Sequence, residues 1–215
     1  MPLPKLADKI AAQRATMSDE LRQAYEQSVA EMLAIGAGTT TLAPGDRFPD
    51  IILPNAEGDL IAIADLLALG PVVVTFFRGI WCPYCRLMLD ALVAALPEIE
   101  AAGARLVGVT PETGGLALIT KRNHGAAFEV LCDVDSGLGL DCGVVFRTPM
   151  AYRALLLKHG RDLAPRHGND SWFLPLPCVF VLDRAGIVRW RFVTTDFTEQ
   201  AEPADILAAL RALGR

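Results

Sequence analysis

The pattern of hydrophobic and polar positions begins with two apolar stripes at helical spacing. The first stripe comprises Leu3, Leu6, Ile10 and Met17, and the second comprises Leu21, Tyr25, Val29, Met32 and Leu33. Ser18 is suited to cap the second helix, and Gly36 and Gly38 are suited to end it. Residues 1–38 are therefore predicted to form an N-terminal helical arm. Two roles for the arm are open: packing on its own domain, or contact with a second subunit in a homodimer.

From residue 39 onward, short apolar runs alternate with turns and helical stretches. Strands are predicted at 48–54, 60–63, 71–77, 105–109, 129–132, 179–182 and 187–192. Helices are predicted at 65–69, from Pro83 to about Gly103, from Thr110-Pro111-Glu112, at 150–159 and from Pro203 onward. The alternation predicts an α/β domain over residues 39–215. Its mixed central sheet has a parallel part and an antiparallel edge, and helices flank it.

One stretch combines a buried strand, a sharp turn and a helix start. The run Val-Val-Val-Thr-Phe-Phe ends at Arg78-Gly79, and Cys82 and Cys85 follow at the start of the next helix, with Pro83 at its first position. Free N–H groups and the positive end of the helix dipole stabilise a thiolate at such a position. Three residues apart, the two thiols share a helix face and can close a disulfide. We expect Cys82 to be the exposed nucleophile and Cys85, one turn deeper, the resolving thiol.

Other interpretations of the cysteines are a zinc site and inert packing. A structural zinc site usually has a second pair of closely spaced ligands. The remaining cysteines, Cys132, Cys142 and Cys178, and the three histidines, His124, His159 and His167, have no such spacing. We therefore expect a redox-active pair without metal or other cofactor. His159 and His167 are expected at the surface.

Composition and charge narrow the classes of partner. The net charge is −5 with no basic stripe, which argues against nucleic acid. No apolar run reaches the length of a membrane span, and the first ten residues lack the apolar core of a secretory signal. Five cysteines, an odd number, fit a reducing compartment. We expect a cytoplasmic protein with no membrane partner.

The motif Phe-Arg-Gly-Ile-Trp-Cys-Pro-Tyr-Cys resembles the active site of peroxiredoxin-like proteins. These form the alkyl hydroperoxide reductase and thiol-specific antioxidant group of the thioredoxin-fold superfamily. The stretches at 45–50 and 176–183 resemble this group's domain entry and late strand, so the likeness covers nearly the whole chain. The resemblance implies a thioredoxin-like fold, a peroxide substrate and a thioredoxin-type reductant.

The resemblance also implies roles for individual residues. Cys82 matches the peroxidatic cysteine, Cys85 matches the second cysteine of a thioredoxin pair, and Pro177 matches the substrate-contacting proline that is cis in thioredoxins. Typical members carry a threonine three residues before the peroxidatic cysteine and a proline seven before. This chain has Gly79 and Thr75 there, and no arginine in the late strand at 174–182.

Two further residues beside the cysteines are candidates for substrate contact. Arg78 can supply positive charge to a thiolate and an incoming peroxide, or it can be a surface or salt-bridging arginine. Trp81 can contact substrate, or it can be an aromatic side chain at the edge of the core.

Three functions are compatible with these residues. The first is a thiol peroxidase, in which a Cys82 sulfenic acid is resolved by Cys85 and the disulfide is reduced by a dithiol. The second is a thiol–disulfide oxidoreductase that acts on protein or small-molecule disulfides. The third, a non-catalytic binding module, leaves both thiols at the helix start unexplained. The sequence favours the first.

Overall fold

A computed structural model describes residues 5–113 and 115–214. Leu3, predicted in the first apolar stripe, lies outside the described residues. The helices are α1 (Leu6–Ala15), α2 (Asp19–Ala34), α3 (Ile63–Leu69), α4 (Pro83–Ala101), α5 (Gly115–His124), α6 (Gly137–Asp141), α7 (Met150–Lys158), α8 (Ala164–His167) and α9 (Pro203–Leu213). The strands are β1 (Ile52–Pro54), β2 (Leu60–Ala62), β3 (Val72–Phe76), β4 (Arg105–Thr110), β5 (Glu129–Cys132), β6 (Val145–Arg147), β7 (Phe173–Pro175), β8 (Cys178–Leu182) and β9 (Val188–Val193).

A five-stranded mixed sheet in the order β5-β4-β3-β8-β9 organises the domain. β3, β4 and β5 are parallel, whereas β8 is antiparallel to β3 and β9 is antiparallel to β8. The predicted α/β class, with a parallel part and an antiparallel edge, is confirmed. β3 is central, and all five of its residues are buried because apolar side chains cover both faces of the sheet.

Two apolar clusters lie on opposite sides of the central strand. Val73 belongs to the cluster that contains the buried face of α4, including Leu92 and Ile99. Val72 and Val74 point to the second cluster, which includes Phe180 of β8. This alternation follows from the two-residue period of a strand. Packing in these two clusters holds β3 and α4 in place, and therefore also the turn that connects them.

The helical arm packs on its own domain. Its buried residues Leu6, Ile10, Tyr25 and Met32 belong to the same cluster as α4. Helix α1 contacts α4, and α2 contacts α7. The predicted cap is confirmed, since the Ser18 side chain accepts a hydrogen bond from the Leu21 N–H. The first of the two roles considered for the arm is therefore realised.

Several elements differ from the sequence prediction. Helix α5 begins at Gly115 rather than at Pro111, because the chain first turns to bring the Glu112 carboxylate to the Ile80 N–H at 3.0 Å. Four short elements were not predicted, namely β6, β7, α6 and α8. Each has too few residues to show a periodic pattern. His167 is buried rather than at the surface. No helix in the described ranges combines the length and apolar character needed to cross a membrane.

Candidate active site

Cys82 and Cys85 occupy the turn from β3 into α4, as predicted. Cys82 is the residue that caps the helix, with extended backbone angles, and Pro83 is the first helical residue. The Cys82 Sγ accepts a hydrogen bond from the Cys85 N–H at 3.4 Å. The side chain of Cys82 is thus directed at the unpaired N–H groups of the helix start, where a thiolate is stabilised.

The prediction that Cys82 is exposed is wrong. Only 1% of the residue is accessible to solvent, because the helical arm and the segment around Phe197 cover the start of α4. Burial raises the pKa of Cys82. The hydrogen bond from the Cys85 thiol and the charge of Arg78 outweigh burial and lower the pKa to about 6. Cys82 is therefore a buried thiolate at neutral pH.

Cys85 has the opposite character. Its Sγ accepts a hydrogen bond from the Arg78 N–H at 3.4 Å, and it does not line the cavity beside Cys82. Burial, followed by the hydrogen bond and negative charge of Cys82, raises the pKa of Cys85 well above its ordinary value. The pair thus consists of one ionised sulfur and one protonated sulfur, and both are free thiols.

Arg78 is a buried cation beside Cys82. Its guanidinium carbon lies 4.0 Å from the ring centre of Phe197, 5.3 Å from that of Trp81 and 6.0 Å from that of Tyr152. Within the described part of the chain, its Nε and Nη1 atoms have no hydrogen-bond partner and no carboxylate forms an ion pair with it. The surface or salt-bridging interpretation of Arg78 is therefore wrong. The positive charge of Arg78 lies close enough to Cys82 to lower the pKa of its thiol.

A cavity of about 160 Å³ opens onto Cys82. It is lined by Gln13, Thr16, Met17, Leu21, Arg78, Trp81, Cys82, Pro83, Tyr84, Tyr152, Arg161 and Phe197. The lining contains two arginines and no carboxylate, so the cavity favours an uncharged or anionic small molecule.

Trp81 lies at the edge of the core, as one of its two interpretations predicted, while its contact with substrate stays a prediction. The residue is half-buried against the main apolar cluster and also lines the cavity. Its indole Nε1 donates a hydrogen bond to the Arg78 carbonyl oxygen at 3.1 Å, which fixes the ring beside the guanidinium.

Pro177 is not brought to this cavity. It is buried immediately before Cys178, which pairs with Phe76 of β3, and it is absent from the cavity lining. No peptide bond in the described ranges is cis, so the bond before Pro177 is trans. Cys132, Cys142 and Cys178 are buried away from the cavity.

Glu112 is a site residue that the sequence analysis missed. Its Oε2 accepts a hydrogen bond from the Ile80 N–H at 3.0 Å, and its Oε1 has no hydrogen-bond partner among the described residues. Burial and, less strongly, the charge of Cys82 raise the pKa of Glu112, whereas the hydrogen bond from the Ile80 N–H and the charge of Arg166 lower it. The net pKa is about 7. The available signal was its position, just past the carboxyl end of the strand that neighbours β3.

Gly79 makes room for this carboxyl group. A Cβ atom at residue 79 would lie 2.4 Å from the Glu112 Cδ, and the backbone angle φ of 128° also favours glycine. A threonine at this position, as in typical peroxiredoxins, is therefore incompatible with the observed position of Glu112.

Metal ligation has no support in the described residues: no three His, Cys, Asp or Glu side chains gather there in an arrangement that could hold an ion. The two arginines that line the cavity also make its surroundings unfavourable for a cation.

Comparisons with known proteins place this geometry in context. The chain is 30% identical over 97 residues to a Mycobacterium tuberculosis protein named as a peroxiredoxin, a match that covers 45% of this chain and 61% of that protein. It is 25% identical over 103 residues to the thiol-disulfide oxidoreductase ResA of Bacillus subtilis, covering 47% of this chain and 56% of ResA. The match thus spans less than two thirds of the length of each of these relatives.

The fold is shared with solved peroxiredoxin structures. The peroxidoxin BcpB from Mycobacterium tuberculosis superposes with a TM-score of 0.64 at 20% identity, covering 80% of this chain and 98% of that one. This likeness establishes a thioredoxin-like, peroxiredoxin-type fold. Residues 44–191 match the AhpC/TSA family, and this match covers more than half of the chain. The chain belongs to the AhpC/TSA family.

Proposed function

We propose that this protein is a thiol peroxidase with Cys82 as the peroxidatic residue. The Cys82 thiolate attacks one peroxide oxygen, so that an S–O bond forms as the O–O bond breaks. The departing oxygen takes a proton and leaves as water or an alcohol. The Cys85 sulfur then displaces hydroxide from the sulfenic acid, and a disulfide and water form. A thioredoxin-type dithiol reduces the disulfide.

The observation that carries this proposal is the thiolate beside an unpaired buried cation. The lowered pKa of Cys82 supports an ionised nucleophile at neutral pH, and the charge of Arg78 can stabilise negative charge on the departing oxygen. Membership of the AhpC/TSA family agrees with this chemistry.

A second candidate function is thiol–disulfide exchange with protein or small-molecule disulfides. The similarity to ResA and the spacing of the two cysteines favour it. Burial of Cys82 in a small cavity argues against a protein disulfide as the substrate of the reduced form, because that disulfide must reach the attacking sulfur directly, whereas the dithiol reductant acts only on the oxidised form. We therefore propose a small peroxide as the substrate and the cytoplasm as the compartment that supplies the reductant.

The test is the rate at which peroxide oxidises the reduced protein, followed by stopped-flow and compared with insulin-disulfide reduction. We expect oxidation by hydrogen peroxide far faster than that of free cysteine. Cys82→Ser should abolish it, and Cys85→Ser should accumulate the sulfenic acid. Cys142→Ala is the matched control, because Cys142 lies in the cluster on the other face of the sheet. Peroxide oxidation no faster than that of free cysteine, with rapid insulin reduction, would select the second candidate.

A further inference from the structure

The cavity over Cys82 is only partly built from the family domain. The AhpC/TSA match begins at residue 44. Four of the twelve residues that line the cavity come from the helical arm before it, namely Gln13, Thr16, Met17 and Leu21. One wall of the candidate active site is therefore supplied by a segment outside the matched region.

This wall is fixed to the domain by specific contacts. The Glu202 carboxylate accepts hydrogen bonds from the Leu6 N–H at 3.1 Å and the Ala7 N–H at 2.7 Å, at the start of α1. In α2, the Tyr25 ring packs edge-to-face on Phe197 with 4.6 Å between ring centres, and the Tyr25 hydroxyl lies 3.3 Å from the Thr198 Oγ1. The arm is thus held at both helices.

The same contacts connect the arm to the reacting group. Phe197, which packs against Tyr25, also covers the guanidinium of Arg78. Met17 and Leu21 are half-buried and pack against the main apolar cluster while lining the cavity. Because both are only partly buried, they lie where the apolar wall of the cavity meets solvent.

We propose that Met17 and Leu21 of the helical arm determine which peroxides reach Cys82. These side chains narrow the cavity, so that hydrogen peroxide and slender, unbranched alkyl hydroperoxides enter, whereas branched or aromatic hydroperoxides are excluded. The apolar surfaces of Met17, Leu21 and Phe197 fit an unbranched alkyl chain. This substrate class rests on the proposed peroxidase function.

The test compares the second-order rate constants for cumene hydroperoxide and hydrogen peroxide, measured by stopped-flow on the reduced protein. The Met17→Ala/Leu21→Ala double variant should raise the ratio of the cumene constant to the hydrogen peroxide constant about tenfold, since removing a few methylene groups from a pocket changes discrimination by this order. Leu21→Phe should lower the same ratio. Ile35→Ala is the matched control, because Ile35 lies just past α2 and does not line the cavity. It should keep the wild-type ratio.

A second measurement does not depend on peroxide chemistry. In a Cys85→Ser background, alkylation of Cys82 by N-phenylmaleimide relative to iodoacetamide, read at the Cys82 peptide by mass spectrometry, reports access by size. The double variant should again raise the ratio.

The outcomes separate this inference from the proposed function. If neither ratio changes in a double variant that unfolds with the wild-type cooperativity, the arm does not control access and the inference is overturned. If no protein reacts with hydrogen peroxide faster than free cysteine but the alkylation ratio rises, control of access by the arm stands. The peroxidase proposal and the substrate class that rests on it then fail.

Discussion

Arg78 carries a positive charge that is buried among aromatic rings, and this charge lowers the pKa of Cys82. Replacing Arg78 by Gln removes an opposite charge, which should raise the pKa of Cys82 by at least about one unit. At pH 7 a one-unit rise from a pKa of about 6 lowers the thiolate fraction from about nine-tenths to about one-half, so the rate of peroxide oxidation should fall at least about twofold, because only the thiolate reacts. A pH titration of thiolate ultraviolet absorbance measures the shift. Arg86→Gln is the matched control, because Arg86 is an exposed arginine next to Cys85. An equal shift in both variants would contradict a specific role for Arg78.

Glu112 should influence the reaction of Cys82 with peroxide by holding the loop that precedes Cys82. Glu112→Ala removes the acceptor of the Ile80 N–H, and an unsatisfied buried donor costs about 1–3 kcal/mol. We expect this variant to lose about tenfold in peroxide rate at pH 6.5. Glu112→Gln keeps an acceptor oxygen, so its loss should be smaller.

The charge of Glu112 should affect the pKa of Cys82, which a purely structural role of Glu112 would leave unchanged. Glu112 titrates with a pKa of about 7, so its ionisation above neutral pH opposes that of the nearby Cys82. Glu112→Gln cannot ionise, and the apparent pKa of Cys82 should therefore fall below the wild-type value. Identical thiolate titrations in the Gln variant and the wild type would show that Glu112 has only a structural role.

The sequence could predict the site residues that lie close together along the chain. Cys82 and Cys85 share one turn with Arg78, and helix-start chemistry singles out the two thiols before any contact is known, whereas two interpretations of Arg78 stayed open. Tyr152 and Phe197 reach the same cavity from later elements, and no local pattern distinguishes them from core aromatics. Burial of Cys82 was missed for the same reason, since the covering residues come from both ends of the chain.

At the scale of elements, the arm shows what periodicity can and cannot provide. The apolar stripes predicted two helices and the cap at Ser18 correctly, whereas the surface that they cover could be found only from contacts. The start of α1 has no local side-chain cap, and Glu202, from the far end of the chain, supplies the acceptors. Such a partner cannot be read from a window of neighbouring residues.

Glu202→Ala should therefore weaken the docking of α1. Losing a carboxylate that caps a helix start costs about 1 kcal/mol, and the unfolding free energy in urea should fall by this amount. Limited proteolysis should cut the arm sooner than in the wild type. Glu100→Ala, an exposed glutamate near the end of α4, should leave both measurements unchanged. Equal rates of proteolysis in the two variants would show that Glu202 does not hold the arm on the domain.

At the scale of the whole molecule, acid stability should depend on His167. The residue is buried, and its Nε2 has no hydrogen-bond partner among the described residues. Burial, followed by the charge of Arg166, lowers the pKa of His167 to about 4. The unfolded state binds a proton at His167 below a pKa of about 6.5, whereas the folded state binds it only below about 4. Stability is therefore lost as the pH falls from about 6.5 towards 4.

The size of this effect can be measured by difference. Between pH 7 and pH 5, the unfolding free energy of wild type should fall relative to that of His167→Gln by about 2 kcal/mol. Urea unfolding at both pH values measures it, with His159→Gln as the exposed control. A His167→Gln profile parallel to that of wild type would refute the assignment.

The homodimer through the arm stays a prediction. Most of the apolar stripe is used within the chain, but Leu33 and Ile35 remain 62% and 73% exposed at the end of α2. If these residues meet a second chain, sedimentation equilibrium should give the dimer mass for wild type and a reduced association constant for Leu33→Asp/Ile35→Asp. A wild-type mass equal to one chain would exclude the homodimer.

Under the proposed function, the guanidinium enclosed by Phe197, Trp81 and Tyr152 would couple the oxidation state of Cys82 to the packing around it. Neither a sulfenic acid nor a disulfide at Cys82 carries the charge of the thiolate, so oxidation of Cys82 would leave Arg78 without its counter-ion. An isolated charge in an apolar enclosure is costly, and the aromatic enclosure and the arm above it should loosen until water or a phenolate compensates. The oxidised protein would thus differ in shape from the reduced protein, and the proposed reductant would meet a more open entrance than the proposed peroxide substrate.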